Sequence, residues 1–257
     1  MNRINKLLAE KGNNILSVYF TAGYPQLNDT VEIIRQLVAH GVDMIEIGIP
    51  FSDPMADGPV IQNSSQIALA NGMTQNLLFD QLKDIRKVTD IPLILMGYVN
   101  PLLQFGFEKL CQKAQEVGVD GFIIPDLPMA EYLQEFKATA DKYGMENILL
   151  ITPETPEERI RLIDTHSNGF IYMVSSAATT GAQDSFAGSK EAYFQRIKDM
   201  NLKNPTLIGF GISNKETFDS ACAHASGAIV GSAFIKALGE NSSVEKAVEA
   251  LVKKLKD

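Results

Sequence analysis

Eight short apolar runs recur along the chain, at residues 15–21, 44–50, 92–98, 121–125, 147–152, 169–175, 206–211 and 227–232, with amphipathic stretches between them. Each run is five to seven residues long and rich in Ile, Leu, Val, Phe or Tyr. Such runs are too short for helices and match strands covered on both faces in a parallel sheet. The intervening stretches keep a helical period. Residues 31–38 repeat their apolar positions every 3.6 residues, follow the cap candidates Asn28, Asp29 and Thr30, and stop at Gly41. Residues 107–117 stop at Gly118, residues 131–143 stop at Gly144, and Pro156-Glu157-Glu158 opens a helix with proline and acids in its first turn. Residues 3–10 form a short amphipathic helix ahead of the first strand, with Ile4, Leu7 and Leu8 on one face as a candidate plug for a barrel bottom.

Eight strand-helix units without a Pro/Gly/Ser-rich linker or charge run between them predict an α/β fold, a single (β/α)8 TIM barrel with an extra N-terminal helix, occupying residues 1–257 as one domain. Length alone leaves one domain or two open, because such barrels run to about 250 residues. In this architecture the active site lies where the strands end, so the eight loops there are the places to search.

Glu46 interrupts the second apolar run. Alternation puts it on one face with Met44 and Gly48, while Ile45, Ile47 and Ile49 take the other. If the glycine side faces inward, the carboxyl is desolvated and its pKa rises toward the range useful for proton transfer near neutrality. The alternative is a glutamate paired with a basic side chain on an outer helix. Asp57 follows in the loop, framed by Ala56 and Gly58-Pro59. It offers a second carboxylate on the same strand-loop unit, or merely a turn or helix cap.

Glycines mark a second cluster. Gly209 and Gly211 end the seventh run, Gly231 with Ser232 ends the eighth, and Gly181 lies in the long loop after the sixth. Glycines at these two strand ends, followed by a helix start, match a backbone-amide phosphate site, although single glycines also serve tight turns. The small, polar loop 175–189 reads as a closing lid or as a plain surface loop. Tyr172, just before it, can point its hydroxyl into the same cavity.

Composition changes the picture by exclusion. The chain is 45% hydrophobic and 21% charged, which fits an ordinary globular protein with a sizeable core. A formal net charge of -8 opposes nucleic acid and anionic membrane surfaces as partners. A small phosphate ester remains possible, since screening over roughly 8 Å lets nearby amides dominate. Cys111 and Cys222 lie far apart in helical segments, and with no apolar leader or span the expected location is a reducing cytoplasm. His40, His166 and His224 fall at helix ends that lead into strands, and no lysine lies in any of the eight runs. A metal site and a Schiff-base nucleophile are therefore not expected at the strand ends. What remains is cofactor-free acid-base chemistry on a phosphate ester.

The run Pro50-Phe51-Ser52-Asp53-Pro54 with Ala56-Asp57-Gly58-Pro59 closely resembles the signature of the tryptophan synthase alpha chain family. Phe20-Thr21-Ala22-Gly23-Tyr24-Pro25, Pro125-Asp126-Leu127-Pro128, Thr180-Gly181, Gly209-Phe210-Gly211-Ile212-Ser213 and Gly231-Ser232-Ala233 follow in the family's order. The resemblance implies a lyase of L-tryptophan biosynthesis that performs the retro-aldol cleavage of indole-3-glycerol phosphate to indole and glyceraldehyde 3-phosphate. It makes Glu46 the acid-base residue and Asp57 the acceptor of the indole N–H. Thr180 would bond Asp57 on lid closure, Tyr19, Ile123, Tyr172 and Phe210 would line the indole slot, and Gly181, Gly211, Gly231 and Ser232 would hold phosphate. No cofactor is implied in this chain. Pyridoxal phosphate is implied only in a partner beta chain of an alpha2beta2 heterotetramer, met through residues 98–101 and 125–129. The lid departs from the family pattern at Ser176 and Ala178, where arginine and glycine are usual. Two other readings stand beside this one: another phosphate-binding barrel enzyme of the pathway, and a non-catalytic module that stimulates a beta chain.

Overall fold

The computed structural model describes residues 2–175, 187–209 and 211–256. Its eight strands are β1 (Ile15–Thr21), β2 (Met44–Gly48), β3 (Leu93–Met96), β4 (Gly121–Ile123), β5 (Glu146–Ile151), β6 (Ile171–Val174), β7 (Thr206–Gly209) and β8 (Gly227–Val230). All pair in parallel in chain order, and β8 returns to β1, so the sheet closes as the expected barrel. Alternation then splits each strand between two apolar layers. Met44, Ile94, Ile123, Ile148, Leu207 and Ile229 fill the inside of the barrel. Ile45, Ile47, Leu93, Leu95, Phe122 and Ile208 pack outward beneath the helices. Burial on both faces is why these strands read as unbroken apolar runs.

The helix Arg3–Lys11 closes the bottom. Asn2 caps it by accepting from the Ile4 backbone N–H at 2.9 Å, and Ile4 is fully buried in the inner layer, with Leu7 and Leu8 packed against that layer. Arg3 Nη1 at 3.1 Å and Arg86 Nη2 at 2.7 Å share the buried Asp120 carboxylate, which also accepts from the Leu93 N–H at 2.9 Å. The plug is thereby tied to β3 and β4 by ionic hydrogen bonds where removing one partner would strand a buried charge.

Local details differ from the sequence reading in instructive ways. Several strands end before their apolar runs do, because the last residues, such as Ile49-Pro50 and Gly97-Tyr98, leave the ladder to form the loops that carry the site. Asp29 precedes the helix Thr30–Ala39 but makes no side-chain cap; its carboxylate accepts from the Gln26 N–H at 3.2 Å and closes the turn instead. Residues 131–143 are not one α-helix. The segment begins at Met129, passes through a π turn over Tyr132–Phe136 and resumes as the α-helix Lys137–Lys142. The Phe136 ring meets Phe107 edge-on at 4.8 Å. The expected glycine stops hold: Gly41 and Gly118 take φ of 78° and 82°, the left-handed half of the map where a side chain is strained.

Candidate active site

Glu46 points inward with Met44 and Gly48, since Met44 belongs to the inner layer while Ile45 and Ile47 belong to the outer one. It is fully buried, with Oε1 accepting from the Ser17 hydroxyl at 2.9 Å. Its Oε2 is buried with no hydrogen-bond partner, and no ion pair to Glu46 exists among the described residues. The outer-helix pairing is thus excluded there. Burial disfavours the charged form and pushes the carboxyl up to about 8, against a smaller downward pull from the Ser17 hydrogen bond.

Tyr19 is the register partner of Glu46 across β1 and β2. Its ring lies over Gly48, and a methyl group on Gly48 would collide with the phenol. Gly209 stands in the same relation to Tyr172 across β6 and β7. Replacing Gly48 with alanine is expected to cost about 1–3 kcal/mol by overpacking. It should also raise KM by displacing Tyr19, which urea unfolding and steady-state kinetics will read together.

The Tyr19 hydroxyl heads a short chain of hydroxyls. It lies 3.4 Å from Thr21 Oγ1, which lies 2.7 Å from Ser64 Oγ, and Ser64 donates to the Ile61 carbonyl at 2.8 Å. A hydroxyl has one proton to give. Ser64 spends its proton on Ile61, so Thr21 donates to Ser64 and Tyr19 donates to Thr21. The phenol oxygen is left as an acceptor, and burial beside the carboxylates holds Tyr19 well above the usual tyrosine range.

Asp57 is 8% exposed. The local turn is real, since the Asp57 N–H donates to the Pro54 carbonyl at 3.0 Å, but Gly58, not Asp57, caps the following helix Pro59–Ala70. The carboxylate is aimed by Tyr98, whose hydroxyl donates to Oδ2 at 2.9 Å and accepts from the Ala56 N–H at 3.0 Å. Burial pushes Asp57 up to about 6, and the Tyr98 hydrogen bond restrains it. A cleft lined by Tyr19, Ile49, Phe51, Met96 and Tyr98 surrounds it. Tyr172 feels the charge of both Glu46 and Asp57, so one strand-loop unit brings its two carboxyls to the same tyrosines.

The other expected residues fall into place to different degrees. Ile123 and Tyr172 are buried in the inner layer beneath this cleft. Gly231 caps the helix Ser232–Glu240, and a methyl there would meet the Tyr19 ring at 3.6 Å, so this helix start adjoins the tyrosine slot. Ser232 is exposed at the first helical position, and Gly211, at φ 79°, faces Ser175 after β6. Thr180, Gly181, Phe210 and the departures Ser176 and Ala178 lie outside the described residues. Sequence reasoning missed Ser17, Thr21, Ser64 and Tyr98. The first two were legible as polar interruptions on the inward face of an apolar strand, the same signal that exposed Glu46. His40, His166 and His224 all sit at helix C-termini away from this end, and among the described residues no cluster of His, Cys, Asp and Glu could hold a metal.

The fold agrees with what the chain resembles. The family model for the tryptophan synthase alpha chain matches residues 5–257. The tryptophan synthase alpha chain of Parabacteroides distasonis is 60% identical over 256 residues, covering 100% of both chains. Among solved structures, the tryptophan synthase subunit alpha of Legionella pneumophila is 37% identical with a TM-score of 0.89, over 99% of this chain and 97% of the other. The tryptophan synthase complex of Pyrococcus furiosus matches at 33% identity and a TM-score of 0.86, over 95% and 98% of the two chains. With a family match over residues 5–257, a relative at this identity and a closed barrel with Glu46 buried on β2 and Asp57 buried in the loop after it, the chain belongs to the tryptophan synthase alpha chain family, lyases that cleave indole-3-glycerol phosphate.

Proposed function

We propose that Glu46 and Asp57 divide the chemistry of this cleavage between them, in one barrel domain spanning residues 1–257. The observation that carries the reading is Glu46 itself, a fully buried carboxyl with one oxygen held and the other unpartnered. Near neutrality its raised pKa keeps it mostly protonated, while Asp57, lower by environment, stays mostly ionised. Two carboxyls pushed apart in this way can serve as acid and as charge stabiliser at the same pH. Neutral Glu46 gives its proton to indole C3. Positive charge develops on the indole ring, and Asp57 accepts the N–H and stabilises it. The Glu46 carboxylate then takes the glycerol hydroxyl proton as the carbon-carbon bond breaks, which releases indole and glyceraldehyde 3-phosphate and restores the acid. Tyr19, Ile123 and Tyr172, with Phe210, line the indole slot. Gly211, Gly231 and Ser232, with Gly181, hold the phosphate, and Thr180 bonds Asp57 when the lid closes.

This assignment sets a pH profile. Turnover needs protonated Glu46 and ionised Asp57, so kcat/KM should form a bell with limbs near about 6 and about 8. Replacing Tyr98 with phenylalanine removes a hydrogen bond that lowers the Asp57 pKa, so the acidic limb should move upward while the alkaline limb stays. A limb that does not move would remove Tyr98 from this role.

The partner in this reading is a beta chain carrying pyridoxal phosphate, in an alpha2beta2 assembly in the cytoplasm, with no cofactor in the alpha chain. Met55, 84% exposed on the loop after β2, and Leu103, 49% exposed on the helix Val99–Phe105 that follows β3, support a partner surface at this end together with residues 98–101 and 125–129. Incubation with indole-3-glycerol phosphate, with and without a beta chain, tests the whole proposal. Indole release strongly stimulated by the beta chain supports it, equal rates favour a free-standing lyase, and stimulation of the beta chain without indole release favours a non-catalytic module.

A further inference from the structure

Ser17 plays no part in the scheme above, yet among the described residues it is the one side chain that grips the proton-carrying group. It lies on β1, two residues toward the barrel bottom from Tyr19, the register partner of Glu46. Both Ser17 and Glu46 are fully buried, and the serine hydroxyl donates to Oε1 at 2.9 Å. Below it lie the Ile4 plug and the inner apolar layer. On the same strand Tyr19 has committed its own proton to Thr21, away from Glu46. The carboxyl is therefore held by one oxygen from below, and Oε2 remains buried and unpartnered among the described residues. An unmade hydrogen bond on a buried carboxyl oxygen is costly, and a structure that keeps one on the inward face of a barrel strand is poised to make it with something else.

We propose that Ser17 is the positioning residue of the acid-base carboxyl: it anchors Oε1 of Glu46 so that Oε2 is the oxygen that exchanges the proton with substrate. The proposal rests on the assignment of Glu46 given above. It has two consequences. The anchor stops the carboxyl from rotating, so one oxygen returns to the same place for both transfers, first to indole C3 and then from the glycerol hydroxyl. The anchor also favours the carboxylate and keeps burial from making Glu46 a permanent acid that could not give its proton up. The other titratable groups facing Glu46 are Tyr19 on β1 and Tyr172 on β6, with Asp57 on the loop after β2 sensed by both tyrosines. Both phenols are held neutral above the usual tyrosine range, so neither replaces Ser17 as a source of charge near neutrality.

The test compares full-length S17A, S17C and S17T with the parent and with E46Q. The cysteine keeps the volume of serine but donates weakly, and the threonine keeps the hydroxyl. Loss of the anchor in S17A and S17C should lower kcat about tenfold, with KM within about twofold, and move the alkaline limb of the kcat/KM profile up by about half a unit to one unit. S17T should restore both. Carbon-13 NMR titration of the Glu46 carboxyl should show the same upward move without reference to turnover, and thermal unfolding confirms that each variant is folded. An unshifted Glu46 titration in folded S17A, or an S17C variant indistinguishable from the parent, overturns the proposal while an inactive E46Q leaves the acid-base assignment standing. An E46Q variant that still releases indole overturns that assignment and the proposal with it.

Discussion

Replacing Glu46 with glutamine is expected to reduce indole release by about a thousandfold or more, because one group supplies both proton transfers, and general acid-base catalysis is worth roughly that much. The same change should make the protein harder to unfold. Glu46 has an ordinary value of 4.5 and sits at about 8 in the fold. Between those values the native state keeps a proton that the unfolded chain has released, so stability falls as pH rises through this window, and the full penalty stands above the folded value. Glutamine has no charge to desolvate and escapes that penalty. The variant should therefore gain on the order of 2 kcal/mol over the parent at pH 7, at about 1.4 kcal/mol per pKa unit discounted for the amide's own burial, and gain more at pH 9. Near pH 4, below both values, the gain should vanish and leave only the small cost of burying the amide. Urea denaturation across pH, beside an indole assay, checks both halves. A variant that loses activity without gaining alkaline stability would show that burial does not hold Glu46 in its neutral form.

Exchanging Asp57 for asparagine should lower kcat/KM by about 10²–10³, the usual cost of losing a group aimed at developing charge. The amide has nearly the same shape, and its oxygen can still accept from Tyr98, so the loop stays in place. What it cannot supply is negative charge beside the indole nitrogen. The acidic limb of the pH profile should vanish with it, since the group that titrates near about 6 is gone, while the alkaline limb set by Glu46 remains. Asp57 also sits above its ordinary 3.8, so the parent loses stability as pH rises from that value to about 6, and the asparagine variant should not. Persistence of the acidic limb in Asp57→Asn would assign that limb elsewhere.

Much of this protein was legible before folding, and the exceptions share a cause. The second strand announced itself through Met44, Glu46 and Gly48, which alternation puts on one face, and the inner layer that holds Met44 then decided which face that is. The plug was equally plain: Ile4, Leu7 and Leu8 fall on one helical stripe, and that stripe enters the barrel. Of the cap candidates Asn28, Asp29 and Thr30, Asp29 takes the cap position, but an aspartate before a helix serves a turn and a cap equally well, and only the position of the Gln26 N–H chooses the turn. The helix over residues 131–143 was expected to be regular because its apolar spacing tolerates a π turn at Tyr132–Phe136. Asp57 read by itself either as a second carboxylate or as a turn residue, since its partner Tyr98 comes from the loop after the next strand, 41 positions away.

The sequence by itself determined the number and order of the strands, the closure of the barrel, and that Glu46 shares one face with Met44 and Gly48. These follow from periods of 2 and 3.6 residues, which are local and repeat along the chain. Only the tertiary structure decided which hydroxyls hold the two carboxyls, and that Glu46 rises further than Asp57. Desolvation depends on what surrounds a group on every side, and hydrogen bonds such as Ser17 to Glu46 or Tyr98 to Asp57 exist only after closure brings separate strands side by side.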